Sequence, residues 1–134
     1  MSRTVQIAAT FPAPPQLLFD MYLDPVRHAA FTGQPTKISD REGGAFEAFG
    51  GMLGGKILQV VPKRLIVQSW RAAHWPVDAI DSTLILTFVN DPKGGRIELT
   101  QVNVVDYDFA DVSEGWEKYY WTPWRKFLEA APSR

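Results

Sequence analysis

Across residues 4–11 apolar side chains take every second place: Val5, Ile7, Ala9 and Phe11 share one face, with Thr4, Gln6, Ala8 and Thr10 on the other. A period of two predicts a half-buried strand. Pro12, Pro14 and Pro15 end it, and Pro14 or Pro15 suits the first turn of a helix, where no amide donor is needed. Leu17, Leu18, Met21, Tyr22 and Leu23 then recur at helical spacing. Asp24-Pro25 supplies an N-cap and a first-turn proline for a second short helix, which closes near Thr32-Gly33.

From Gly43 the period returns to two. Phe46 and Ala48 oppose Glu47 and Phe49, and Gly50-Gly51 offers the positive φ that a tight hairpin wants. Strands follow over 52–61, 64–72, 82–89 and 96–105, with the turn Asn90-Asp91-Pro92-Lys93-Gly94-Gly95 before the last. Five strands in succession predict an antiparallel meander. Asp111, with Glu114 three residues on, resembles a capping box opening a final helix. Along that helix Trp116, Tyr119, Tyr120, Pro123, Trp124, Phe127 and Ala131 form one broad stripe, opposite Lys118, Thr122, Arg125 and Glu129. Pro123 is expected to kink the helix or break it at Thr122.

Composition narrows the function classes. The 134 residues predict one domain over 1–134, with a core large enough to need no staples. There are no cysteines, which excludes disulfides, thiolate metal sites and cysteine nucleophiles. Such a chain fits a reducing cytoplasm. The opening Met1-Ser2-Arg3-Thr4-Val5-Gln6 carries no apolar core of a secretory signal. No apolar run approaches the ~18 residues of a membrane span. A formal net charge of -1, with acids and bases interspersed, lacks the basic footprint of a nucleic-acid binder.

Six aromatic residues within 116–127 ask for a reason. They either pack a core helix against the sheet or roof a ligand cavity, since rings line a void well and Tyr and Trp add polar handles. Candidate lining residues are Trp70, Trp75, Leu86, Phe88, Leu99, Gln101, Trp116, Tyr120 and Trp124. Gln101 and Asn103 interrupt an apolar face, at a solvated strand end or as a polar spot inside the sheet. Arg71 stands between Trp70 and Trp75 in sequence, an arrangement suggesting cation–π stacking. His28 and His74 lie far apart without a carboxylate or second histidine at helical spacing, so no metal site is expected. Asp78, Asp81, Asp106, Asp108 and Asp111 are expected to cap or to face water. The glycine-rich 50–55 leads into a strand, so it is a hairpin and no phosphate cradle. No catalytic centre and no cofactor site emerge.

Several segments in order resemble a known family. They are Gly43-Gly44-Ala45-Phe46, Gly55-Lys56-Ile57 through Val60-Val61-Pro62, and Leu65-Ile66-Val67-Gln68-Ser69-Trp70-Arg71. Trp75-Pro76, Leu84-Ile85-Leu86-Thr87-Phe88 and Gly115-Trp116-Glu117-Lys118-Tyr119-Tyr120 extend the likeness. The chain resembles the activator of heat-shock protein 90 ATPase homologue family, of the START-like (SRPBCC) helix-grip superfamily. The Trp-Arg…Trp-Pro and Gly-Trp-x-x-Tyr-Tyr signatures are most similar to the C-terminal domain of the eukaryotic activator. The resemblance implies an α+β fold, β-α-α-β(5)-α, with a curved antiparallel sheet around a long C-terminal helix. It also implies a non-enzymatic role, either chaperone contact or an apolar small molecule held between sheet and helix. Cyclase- or aromatase-like activity is a third implied reading. The activator's N-terminal domain has no counterpart in these 134 residues, so the implied chaperone contact is weak and no contact residues carry over.

Overall fold

Proline and glycine place the first breaks in the chain. In the computed structural model, which describes residues 2–130, strand β1 (Ser2–Phe11) yields at Pro12 to helix α1 (Pro15–Leu23). Pro15 opens that helix where a missing amide costs nothing. Helix α2 (Pro25–Thr32) is capped by Asp24, whose carboxylate accepts from the amides of Val26 at 2.9 Å and Arg27 at 3.3 Å. Gly33 ends it in the left-handed conformation, φ 73°.

Six more strands follow: β2 (Thr36–Ile38), β3 (Ala45–Ala48), β4 (Leu53–Val61), β5 (Leu65–Ala72), β6 (Ser82–Asp91) and β7 (Gly94–Val105). They join β1 in one antiparallel sheet of order β1-β7-β6-β5-β4-β3-β2. The meander is therefore closed by the first strand returning to the last. β2 is an addition to the sequence reading; three residues are too few for any period to register. The β3–β4 connection is the expected glycine turn, with Gly50 at φ 66° and Gly51 at φ 95°. Gly55 answers a closer need: a β-carbon there would stand 1.9 Å from the Ser69 carbonyl oxygen on β5. The pairing slips between Ile57 and Gln59 on β4, and opposite Arg3 and Val5 where Asn103 takes φ 66° on β7. Extra residues of this kind bend and twist a sheet.

The hollow of that bend holds the core. Ile66, Gln68, Trp70 and Ala72 on β5, Leu84, Leu86 and Phe88 on β6, and Ile97, Leu99 and Gln101 on β7 all turn inward and are buried. Across the hollow lies the C-terminal helix, assembled from a 3-10 turn (Asp106–Asp108), α3 (Phe109–Gly115), a wide π turn (Trp116–Trp121) and α4 (Thr122–Ala130). It departs from expectation in three ways. The helix begins before Asp111, so Asp111 and Glu114 lie inside it and make no capping box. Of the kink or break expected at Pro123, the break does not occur: the π turn just upstream bonds the Thr122 amide to the Glu117 carbonyl, five residues back. That extra residue also shifts the buried row. Trp116, Tyr120, Trp121 and Trp124 face inward, while Tyr119 and Phe127 are 50% and 38% exposed. Trp121, left off the regular stripe, stacks on Trp116 with centroids 5.5 Å apart. Ala131 lies outside the described residues.

Candidate functional site

Sheet and helix do not meet along their full length. Where β5 ends, they stand apart and leave an open groove of about 370 Å³. The β3–β4 turn contributes Phe49, Met52 and Leu53; β5 and the loop after it contribute Trp70, Ala72 and His74. The helix side supplies Asp108, Asp111, Val112, Gly115, Trp116, Tyr119 and Tyr120. Bulky indoles at 70 and 116 hold the elements apart, with centroids 6.4 Å from each other.

Hydrogen bonds fix these rings from behind. Trp116 donates its indole N–H to Gln101 Oε1 at 2.9 Å, and Gln101 Nε2 donates to Ser82 Oγ at 3.0 Å. Ser82 in turn donates to the Trp70 carbonyl at 2.6 Å. The relay ties β5, β6 and β7 to the helix, and every side chain in it is buried. Buried polar groups that are satisfied in this way specify one arrangement. At the other end Trp75 donates its indole N–H to Asp108 Oδ2 at 2.7 Å, and His74 Nε2 contacts the same oxygen at 3.2 Å.

Tyr120 is set by a second network. His28 is fully buried, with Nδ1 2.7 Å from the Tyr22 carbonyl and Nε2 2.8 Å from the Tyr120 hydroxyl. The carbonyl must accept, so Nδ1 is protonated and bare Nε2 accepts from the tyrosine. Tyr22 donates to Gln68 Oε1 at 2.5 Å. Burial pushes the His28 pKa down to about 4 against the opposing bond to the Tyr22 carbonyl, which keeps the ring neutral. Burial likewise raises Tyr22 and Tyr120 above the usual phenol range, so both stay proton donors. One histidine thus locks α1, α2 and the C-terminal helix together beside the groove.

With this geometry in place, the comparisons decide the family. A model described as activator of Hsp90 ATPase homolog 1-like protein matches residues 12–129, taking in every element after β1 and the groove. The chain belongs to the activator of Hsp90 ATPase homolog 1-like family. An uncharacterized protein of Schizosaccharomyces pombe is 36% identical over 111 residues, covering 73% of this chain and 32% of that protein. The human activator of 90 kDa heat shock protein ATPase homolog 1 is 28% identical over 118 residues, 87% of this chain and 34% of that protein. The chain spans about a third of the length of the curated relatives it matches. Among solved structures, an HSP90 activator from Plasmodium falciparum superposes with a TM-score of 0.84 at 20% identity, over 94% of this chain and 96% of that one. At that identity the likeness is one of fold. CalU16 from Micromonospora echinospora gives 0.80 at 27% identity, over 98% of this chain and 78% of that one.

In this member of the Hsp90 activator homologue family, the nine candidate lining residues separate by depth. Trp70, Trp116 and Tyr120 line the groove. Trp75 stands behind Trp70, centroids 5.5 Å apart, and orients Asp108. Gln101 is the polar spot within the sheet, beneath Trp116, whereas Asn103 sits at the β7 bulge and donates to the Asp81 carbonyl at 3.2 Å. Leu86, Phe88, Leu99 and Trp124 pack in the core away from the groove, where Phe88 meets Phe19 of α1 and Trp124 stacks on Phe31 of α2. Arg71 is a correction. Consecutive strand residues face opposite ways, so it leaves the indoles and reaches the carbonyls of Pro76 and Ala79 and the carboxylate of Asp81 at 2.6–3.0 Å. Asp108 is another: expected to cap or face water, it is buried against Trp75. Its partner lies 33 residues away, and no local pattern announces such a pair. Phe49 and Met52 also reach the groove without a sequence signal, and Tyr119 reaches it from the aromatic stripe. Among the described residues no three His, Asp or Glu side chains converge to hold a metal, and no helix is long and apolar enough to cross a membrane.

Proposed function

We propose that residues 1–134 act as one non-catalytic binding domain of the Hsp90-activator type, a co-chaperone-like module working in the cytoplasm. The family match carries this reading, because it covers the grip from the end of β1 to the last helix. Relatives named as activators of the 90 kDa heat shock protein ATPase align along most of the chain. A cysteine-free sequence fits a reducing compartment. The relatives are about three times longer, and joining further contacts to a domain raises avidity through effective concentration. Alone, these residues therefore bind a heat-shock protein 90 chaperone weakly. Calorimetric titration with the chaperone is expected to give a dissociation constant of about a micromolar or weaker. Absence of heat and of any complex at ~100 μM of both proteins would retire the reading.

A second reading has an observation of its own. The groove reaches the size range of small-molecule sites, roughly 300–1,000 Å³, and aromatic side chains form much of its wall. Under this reading the domain carries or senses an apolar small molecule. The His74–Asp108 pair sits at the rim, its imidazole half exposed and its carboxylate held by Trp75, which suits anchoring better than acid–base work.

A further inference from the structure

The character of the groove narrows its ligand, on the reading that the groove takes a small molecule. Two of its lining residues are carboxylic acids, Asp108 and Asp111, and among the described residues no lysine or arginine lines it. Five are aromatic: Phe49, Trp70, Trp116, Tyr119 and Tyr120. Ring faces carry negative charge density and attract a cation placed over them, the more so away from water. Both features favour the same sign of ligand charge.

Asp108 is the feature that makes this a built site. It is only 5% exposed, yet it lines the groove. Trp75 donates to Oδ2 and His74 Nε2 stands 3.2 Å from the same oxygen, while no described residue donates a hydrogen bond to Oδ1. Oδ1 is not among the described atoms that are shut off from solvent without a partner, so water reaches it until a ligand donor takes that place. The bond from Trp75 fixes the orientation of the group and leaves Oδ1 open to a ligand donor. A neutral apolar ligand would strip water from Oδ1 and return nothing. An anion would meet two carboxylates at close range. Lys118 lies 5.2 Å from the Tyr119 ring centroid but is not part of the lining. His74 is the one lining side chain able to carry positive charge, and it is already directed at Oδ2.

We propose that the groove selects a small organic cation, with a flat apolar body between the rings and an ammonium group on Asp108. Asp111, exposed on the first turns of the helix, adds to the attraction at the entrance. The test is a charge series on one body: 2-(2-naphthyl)ethylammonium, 2-(2-naphthyl)ethanol and 3-(2-naphthyl)propanoate, each titrated by calorimetry and tryptophan fluorescence. The ammonium is expected to bind at one site per chain, about tenfold or more tighter than the alcohol, with the propanoate weakest. Asp108→Asn keeps the shape and removes the charge, so it should bring the ammonium-to-alcohol ratio to about one. Asp111→Asn, an exposed change that cannot disturb the core, should lower the ratio by about two- to threefold. Saturable alcohol binding with no preference for the ammonium would overturn the cation assignment and leave the apolar-ligand reading standing. A preference that survives Asp108→Asn would overturn the role of Asp108. Failure of all three probes to bind at a defined site would overturn both.

Discussion

Trp124→Ala is expected to lower the free energy of unfolding by about 3–5 kcal/mol, the range for emptying a buried aromatic site. Trp124 is fully buried and joins elements far apart in sequence. Its ring lies parallel to Phe31 of α2 with centroids 4.0 Å apart, and 5.1 Å from Phe11 of β1. Trp121 stacks 6.5 Å away on the same helix. Alanine would leave three rings facing a void between the first strand, the second helix and the last. The indole N–H has no partner among the described residues, so the cost comes from packing and not from a lost hydrogen bond. A denaturant series reads this as a lower midpoint at constant slope. A loss under about 1 kcal/mol would mean that the helix does not seat on the sheet in this way.

The second large effect is expected with pH. Unfolded, His28 takes a proton near its ordinary value of 6.5; folded, it resists protonation down to about 4. The unfolded state therefore binds more protons between those two values. Stability is complete above about pH 6.5 and declines as the pH falls toward 4, by about 3 kcal/mol from this group. Carboxylates also titrate toward the lower end, so the informative comparison is with His28→Gln. That variant should be less stable at pH 7, since it loses the bond to Tyr120 or to the Tyr22 carbonyl. Its stability should also fall less steeply between pH 6.5 and 4. Parallel profiles for the two proteins would show that His28 is not the group responsible.

Much of this architecture could be read from residue order because it rests on local chemistry. Pro14-Pro15, Asp24-Pro25 and Gly50-Gly51 each fix a backbone preference within a few residues, and the structure places a helix start, a cap and a turn there. The long strands announce themselves because one face of each is buried. β2 does not, being three residues at the sheet edge. The C-terminal helix was legible as apolar and aromatic, but which rings face inward was not. A π turn adds one residue to the count, turning Trp121 in and leaving Tyr119 half exposed. The groove was harder still. Its polar centre depends on Trp75 meeting Asp108, and its rim on Phe49 meeting Tyr119, both pairings across distant parts of the chain. Periodicity separates inside from outside; it does not say where two packed layers part.

The proposed chaperone role is tested most directly by the steady-state ATPase rate of a heat-shock protein 90 chaperone from the same organism, titrated with this protein from equal concentration to large excess. A slight stimulation is expected that grows only well above stoichiometry, as a weak contact requires. A rate that stays flat throughout the titration would contradict it.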